Sequence, residues 1–452
     1  MQKVKKMGVW ELTLLVLVNM MGSGIILLPT KLASVGTISI LSWFITGGAV
    51  ACLAYAFAKC GMFSRRGGGM GGYAEYSFGK AGNFMTNYTY SITALLADVA
   101  IALTAVAYAL QVLGIESNAT TICIGTLIAI WAATALSVGG PKSVGRITSF
   151  TVLGVIVPVL GICIIGWFWF SPSLWVNEWN PQHMPFFKAV SSSIALTLWS
   201  FAGFESAVSN SDAVENPEKN VPIAVLAATL GAAAVYIVST NVIQGIVPGA
   251  ELVNSNAPFG VAFAYMFSPA VGQVINAFFV LSCFGSLMAC QFTAVQCLKS
   301  GADAGYFPAI FAKETKRGLP LMDMIIVAIL QSIFVIMSAS PEFFSQFEAA
   351  VDLSVMTNLI PFIFSMGSIL VIQKAATGKT DWATNFCAVI GLIYSFYALY
   401  ACGTDALVWG SLVTFLGIAL YGFVSPKYDL PAAIAFNKKV DAEKAAKAAQ
   451  NQ

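Results

Sequence analysis

The constraint that dominates this chain is a succession of about twelve apolar runs, each long enough to cross a bilayer as a helix of about 20 residues. They fall near residues 9–28, 38–60, 84–112, 120–138, 148–170, 187–210, 221–247, 272–298, 323–339, 349–372, 383–400 and 406–425. Of the 452 residues 58% are hydrophobic and only 10% charged, whereas soluble domains carry about 25% charged residues. An all-α polytopic membrane protein is the predicted class, because lipid offers no partner to unpaired backbone groups. With the N-terminus placed inside, all but Lys31 and Lys188 of the 23 Lys and Arg fall on the cytoplasmic side, as the positive-inside rule requires. Both termini are then cytoplasmic. The basic start (Lys3, Lys5, Lys6) enters the first span without a small-residue cleavage site, which predicts a retained helix and no signal peptide. Trp167, Trp169, Trp175 and Trp179 after span five read as an interfacial aromatic belt. The predicted organisation is one transmembrane domain over 1–425 and a polar cytoplasmic tail over 426–452, frayed from 429 onward.

Two spans are interrupted. In span one, Gly22-Ser23-Gly24 stands mid-run, where glycine costs about 1 kcal/mol in a helix. Small residues also serve close helix packing, so the second interruption carries weight. Span six holds Trp199-Ser200-Phe201-Ala202-Gly203-Phe204-Glu205-Ser206, with a glycine and a carboxylate in mid-span. Freed backbone at membrane depth is tolerated where it is buried in protein or lines a cavity, and a pair of such breaks points to a transporter's binding site. Breaks five spans apart predict two five-helix inverted repeats, roughly 9–170 and 187–372, with two further helices over 383–425.

The mid-span acids are the leading site candidates, since a charge there costs roughly 2.5–3.5 kcal/mol on insertion scales. Glu205 sits beside the second break, and its natural partners are a cationic substrate or a proton. Asp98 is the only charge in span three and is expected to face the bundle interior. Trp199 offers an indole face for an ammonium or its methylene chain; Tyr90 carries the same reading, with plain packing as the rival for both. Asp352, near the outer end of span ten, and Glu75, in the loop after the glycine run, are secondary candidates.

Several chemistries are excluded. Gly67, Gly69 and Gly72 satisfy GxGxxG, but the run follows a span and two arginines, not a strand, so a flexible inner loop is the reading there. No Walker A sequence is present. One histidine, His183 in an outer loop, and nine scattered cysteines without a CxxC pair argue against a metal site or disulfide framework. A net charge of +2 gives no field for nucleic acid. No cofactor is expected, and an enzyme lacks a nucleophile and base pair.

Residues Val18-Asn19-Met20-Met21-Gly22-Ser23-Gly24-Ile25-Ile26, together with 28–33, 58–65, 71–76, 197–199, 215–218 and 220–225, resemble the amino acid/polyamine/organocation superfamily, and within it the basic amino acid/amine antiporters. The resemblance covers nearly the whole chain. It implies a LeuT-type fold of twelve helices, an inner-membrane location, and exchange of an amino acid for its decarboxylation product, with ornithine and putrescine as the first pair. It also implies functional coupling to a cytosolic decarboxylase and makes a homodimer a candidate state. Glu205 and Trp199 match the family's central acid and gating aromatic. Glu75 and Tyr90 match positions tied to putrescine, and Tyr421 a span-twelve tyrosine. Gly22, Ser23, Gly24 and Ile25 match the loop that receives the amino acid end. Four departures stand out: Cys290 replaces a substrate-contacting tryptophan, Asp98 and Asp352 replace asparagines, and Ile418 replaces a tryptophan. A roomier and more acidic pocket is implied, so histidine/histamine exchange is the rival pair. Two rival mechanisms also fit a buried acid beside a break: proton-coupled uptake of an amine, and a sensor that binds amines without moving them.

Overall fold

The computed structural model describes residues 8–21, 23–66, 69–205, 214–315, 319–339 and 343–450. Gly22, Gly67, Gly68, the basic residues at positions 3, 5 and 6, and the segment 206–213 lie outside them. Within the described residues, nine helices are long and apolar enough to cross a membrane. They carry spans two to five, seven, eight and ten to twelve. Span nine is the shorter apolar helix Leu321–Met337. The two remaining spans are the interrupted ones, so the all-helical polytopic reading is borne out.

Span one runs as the helix Val9–Met20, a single 3-10 turn Ser23–Ile25, and a second helix Leu28–Val35 with Pro29 in its first turn. Proline is pre-set for that position and its missing N–H is no loss there. Span six runs as the helix Ile194–Ser200 and then leaves helical geometry through 201–205. The two breaks meet. A Cβ on Gly24 would stand 3.0 Å from the Cα of Ser200, and one on Gly203 would stand 3.0 Å from the carbonyl oxygen of Asn19.

Freed carbonyls at these ends must find donors, and two tyrosines supply them. The hydroxyl of Tyr236, on the span-seven helix Pro217–Ile246, reaches the carbonyls of both Met20 (2.7 Å) and Ser200 (3.0 Å). Tyr108 on span three donates to the carbonyl of Ile26 at 3.1 Å. Ser200 adds a bond from its hydroxyl to the carbonyl of Gly24 at 3.3 Å. Each broken end is thereby tied to an unbroken helix.

Two expectations need correction. The glycine run does not form a loop over its described part: a helix extends from Gly69 to Leu113 and includes Glu75, with a non-helical residue at Gly79 (φ 63°). Forty-five residues of helix would span about 68 Å, twice a bilayer core, and Gly79 divides a short inner segment from span three itself. Gly71 is needed because a Cβ there would collide with the side chains of Asn83 and Asn87. The tail is also more ordered than expected, since a helix runs over Pro426–Gln450. Its start is held by Tyr421 donating to Asp429 (2.8 Å) and Tyr428 donating to the carbonyl of Ala304 (2.6 Å).

Span three packs against spans eight and ten, and span seven against spans one and two. Spans five and eight approach closely at Gly154 and Gly285, where added Cβ atoms would meet the carbonyl of Phe278 and the side chain of Thr151. Span twelve, by contrast, is largely uncovered, with Leu412, Phe415 and Leu416 exposed as a lipid-facing surface requires.

Candidate functional site

Between spans one, three, five, six, eight and ten lies a cavity of about 290 Å³, at the small end of the range for ligand sites. Its wall brings together Gly24, Tyr90, Asp98, Trp199, Glu205 and Cys290. The wall contains no Lys, Arg or His among the described residues, and its acids are Asp98 and Glu205. A space lined by two carboxyl groups and no basic side chain is suited to a small cation.

Glu205 is held by its own break. Gly203 donates its N–H to Oε2 at 3.0 Å, and Tyr90 donates its hydroxyl to Oε1 at 3.3 Å. The first bond depends on Gly203 keeping φ at 111°, a region that favours glycine. Carboxylate oxygens offer about four lone-pair sites, so acceptor capacity remains on both. Trp199 sits one turn before the break, nearly buried, with its ring edge-on to Phe347 of span ten at 5.5 Å.

Asp98 is placed differently. It belongs to the cavity wall but is fully buried, with Oδ2 accepting from Nε2 of Gln331 at 2.8 Å and Oδ1 without a hydrogen-bond partner among the described residues. Beside it, Thr93 of span three shares a 2.8 Å hydroxyl contact with Thr357, and Ser354 donates to the carbonyl of Thr93. These bonds fix span ten against span three along the cavity.

Other predicted residues lie elsewhere. Ile25 is buried in the core and does not line the cavity, and only the backbone turn of Ser23 is described. Gly22 falls outside the described residues. Glu75 forms ion pairs with Lys80 (2.7 Å) and Arg66 (3.1 Å) and accepts from Asn83 (2.6 Å). Tyr421 packs on Phe84 with ring centroids 5.3 Å apart. Asp352 sits near Lys31 and Glu348, which are themselves paired at 2.8 Å. None of Glu75, Tyr421 or Asp352 lines the cavity. Conversely Asn358, whose Oδ1 is buried without a hydrogen-bond partner among the described residues, does line it, and Gln331 stands directly behind Asp98. Both are neutral amides within apolar runs, a signal weaker than charge.

The model of the amino acid permease family matches residues 7–424. The chain belongs to that family. This permease is 58% identical over 430 residues to the putrescine transporter PotE of Escherichia coli strain K12, a match covering 95% of this chain and 98% of that protein. It is 56% identical to PotE of Haemophilus influenzae, over 95% of this chain and 99% of that one. A cadaverine/lysine antiporter of Escherichia coli strain K12 is 28% identical, with 93% and 95% coverage. The permease is thus a multi-pass membrane transporter and not an enzyme.

Proposed function

We propose that this permease exchanges a basic amino acid for the amine left by its decarboxylation, ornithine for putrescine in the first instance. The carrying observation is the cavity wall, with two carboxylates and no basic side chain among the described residues. The names of the relatives, putrescine transporters and a cadaverine/lysine antiporter, support the same class. In this reading Glu205 takes an ammonium, Trp199 covers the bound chain, and the backbone turn at Gly24 receives the amino acid end, where exposed amides can hold a carboxylate. Asp98, the second acid of the wall, is a further contact for a cationic group of the substrate. The two halves, 9–170 and 187–372, act as inverted repeats that rock around the site in the inner membrane, with both termini cytoplasmic.

Ornithine carries one net positive charge and putrescine two, so each cycle exports one charge. Against an inside-negative potential of about 100 mV this costs about 2.3 kcal/mol. A combined substrate gradient of roughly fifty-fold covers it, at about 1.4 kcal/mol per decade. A cytosolic decarboxylase that consumes the amino acid and produces the amine maintains that gradient. Histidine and histamine differ by the same single charge, and the presence of Asp98 and Cys290 in the wall favours them as the second pair.

The test is uptake of labelled ornithine and labelled histidine into proteoliposomes loaded with buffer, putrescine or histamine. Ornithine uptake is expected only with putrescine inside. Histidine uptake driven by internal histamine, with ornithine ignored, assigns the second pair. Uptake into empty vesicles driven by an imposed pH gradient replaces exchange with proton coupling, and binding without flux overturns transport altogether.

A further inference from the structure

Behind the cavity, polar side chains from three other spans converge on Asp98. Gln331 of span nine donates from Nε2 to Asp98 Oδ2 at 2.8 Å, and accepts at Oε1 from Nε2 of Gln291 on span eight at 3.0 Å. The hydroxyl of Thr134 on span four lies 3.4 Å from Oε1 of Gln291, with its hydrogen shared with the carbonyl of Ile130 at 2.8 Å. Gln291, Gln331 and Thr134 are nearly or fully buried, and none of the three lines the cavity. Spans four and nine contribute no residue to its wall among the described residues.

The row has a direction. Gln331 receives a hydrogen bond at its oxygen from Gln291 and passes one on from its nitrogen, so the nitrogen of Gln331 is the atom that faces Asp98. Turning that amide over would set its carbonyl oxygen against a carboxylate oxygen, and its NH₂ against that of Gln291. A carboxyl oxygen is the acceptor that ends the row, and serial donors in a low-dielectric interior strengthen one another. One oxygen of Asp98 is therefore committed to the scaffold and the plane of the carboxyl group is set, which leaves Oδ1 as the acceptor with no hydrogen-bond partner among the described residues.

We propose that Gln331 is a positioning residue for the transport site: from a span that does not touch the cavity, it fixes the carboxylate of Asp98 so that one oxygen remains for a cationic group of the substrate. The proposal rests on Asp98 being a substrate contact. It assigns to span nine, in which hydropathy shows only an apolar run, a share in setting affinity.

A double-mutant cycle tests it. Binding of putrescine and histamine is measured on the purified full-length permease and on Asp98→Asn, Gln331→Met and the double variant, and the probe that wild type binds more tightly is followed. Gln331 and Asp98 are in direct contact and should be coupled, so Gln331→Met is expected to weaken that probe about fivefold in wild type, about 1 kcal/mol. In the Asp98→Asn background the same change is expected to cost less than about twofold. In proteoliposome exchange KM should rise with the maximal rate preserved. Gln291→Met, which keeps Gln331 but removes the donor that orients its amide, is the second variant should Gln331→Met fail to fold, and it should show the same dependence on Asp98 in smaller degree. An equal loss in both backgrounds, or no loss in wild type, overturns the positioning role while leaving Asp98 as a contact. If Asp98→Asn alone changes no affinity, the reading of Asp98 fails and the role of Gln331 with it.

Discussion

Glu205→Gln is expected to reduce amine binding and exchange at least about thirtyfold while leaving the amount of protein in the membrane unchanged. Removing one partner of a buried, hydrogen-bonded charge pair costs about 2–5 kcal/mol, and every 1.4 kcal/mol is a factor of ten. The local geometry makes the isostere a test of the charge itself. Both carboxylate oxygens already accept from the protein, Oε1 from Tyr90 and Oε2 from Gly203. A glutamine can keep its oxygen on the Gly203 N–H and turn its NH₂ group to the Tyr90 hydroxyl, which then accepts. Glu205→Asp retains two acceptors but shortens the reach by one methylene, and should fall between the two. Equilibrium binding of labelled putrescine and counterflow in proteoliposomes measure both variants. Normal flux through Glu205→Gln would remove this carboxylate from the mechanism.

Sequence made the crossings legible because the apolar runs are long and charges within them are rare. It also made the first break legible, since two glycines around a serine have no business in an ordinary spanning helix. The destination of the freed carbonyls was not legible. Tyr236 lies 216 residues from Met20, and a tyrosine in an apolar run looks like a packing residue until the fold brings its hydroxyl to a helix end. Glu75 shows the opposite failure. Six residues with five glycines read as a loop, yet helix continues from Gly69 because Gly71 serves the close approach of Asn83 and Asn87. The charged members of the site could be found by their insertion cost. Gln331 and Asn358 could not, because a neutral amide costs less in a span than a charge and only its three-dimensional partner distinguishes a scaffold bond from a ligand bond.

The same geometry predicts that Gly203→Ala will disable transport although it adds one methyl group and no charge. Gly203 holds φ at 111°, and a side chain in such a region costs of order 1–3 kcal/mol. Its Cβ would also stand 3.0 Å from the carbonyl oxygen and 3.2 Å from the carbonyl carbon of Asn19. That backbone has little freedom to retreat, because the next carbonyl, that of Met20, is held by Tyr236. Relief must come from Gly203 itself, and Gly203 N–H is a donor to Glu205. Strain at the break is thereby delivered to the carboxylate, and a loss of roughly tenfold or more in putrescine affinity is expected. Tyr236→Phe attacks the same junction from the other side: one buried hydroxyl serving two carbonyls is lost, at about 1–3 kcal/mol, and a lower midpoint of thermal unfolding in detergent should report it. Gly48→Ala is the control, since a Cβ there meets nothing within 4 Å and glycine is a poor helix former. If Gly203→Ala binds putrescine like wild type and unfolds like Gly48→Ala, the Gly203 N–H does not hold Glu205 in place, and the carboxylate must owe its position to its other partners, Tyr90 among them.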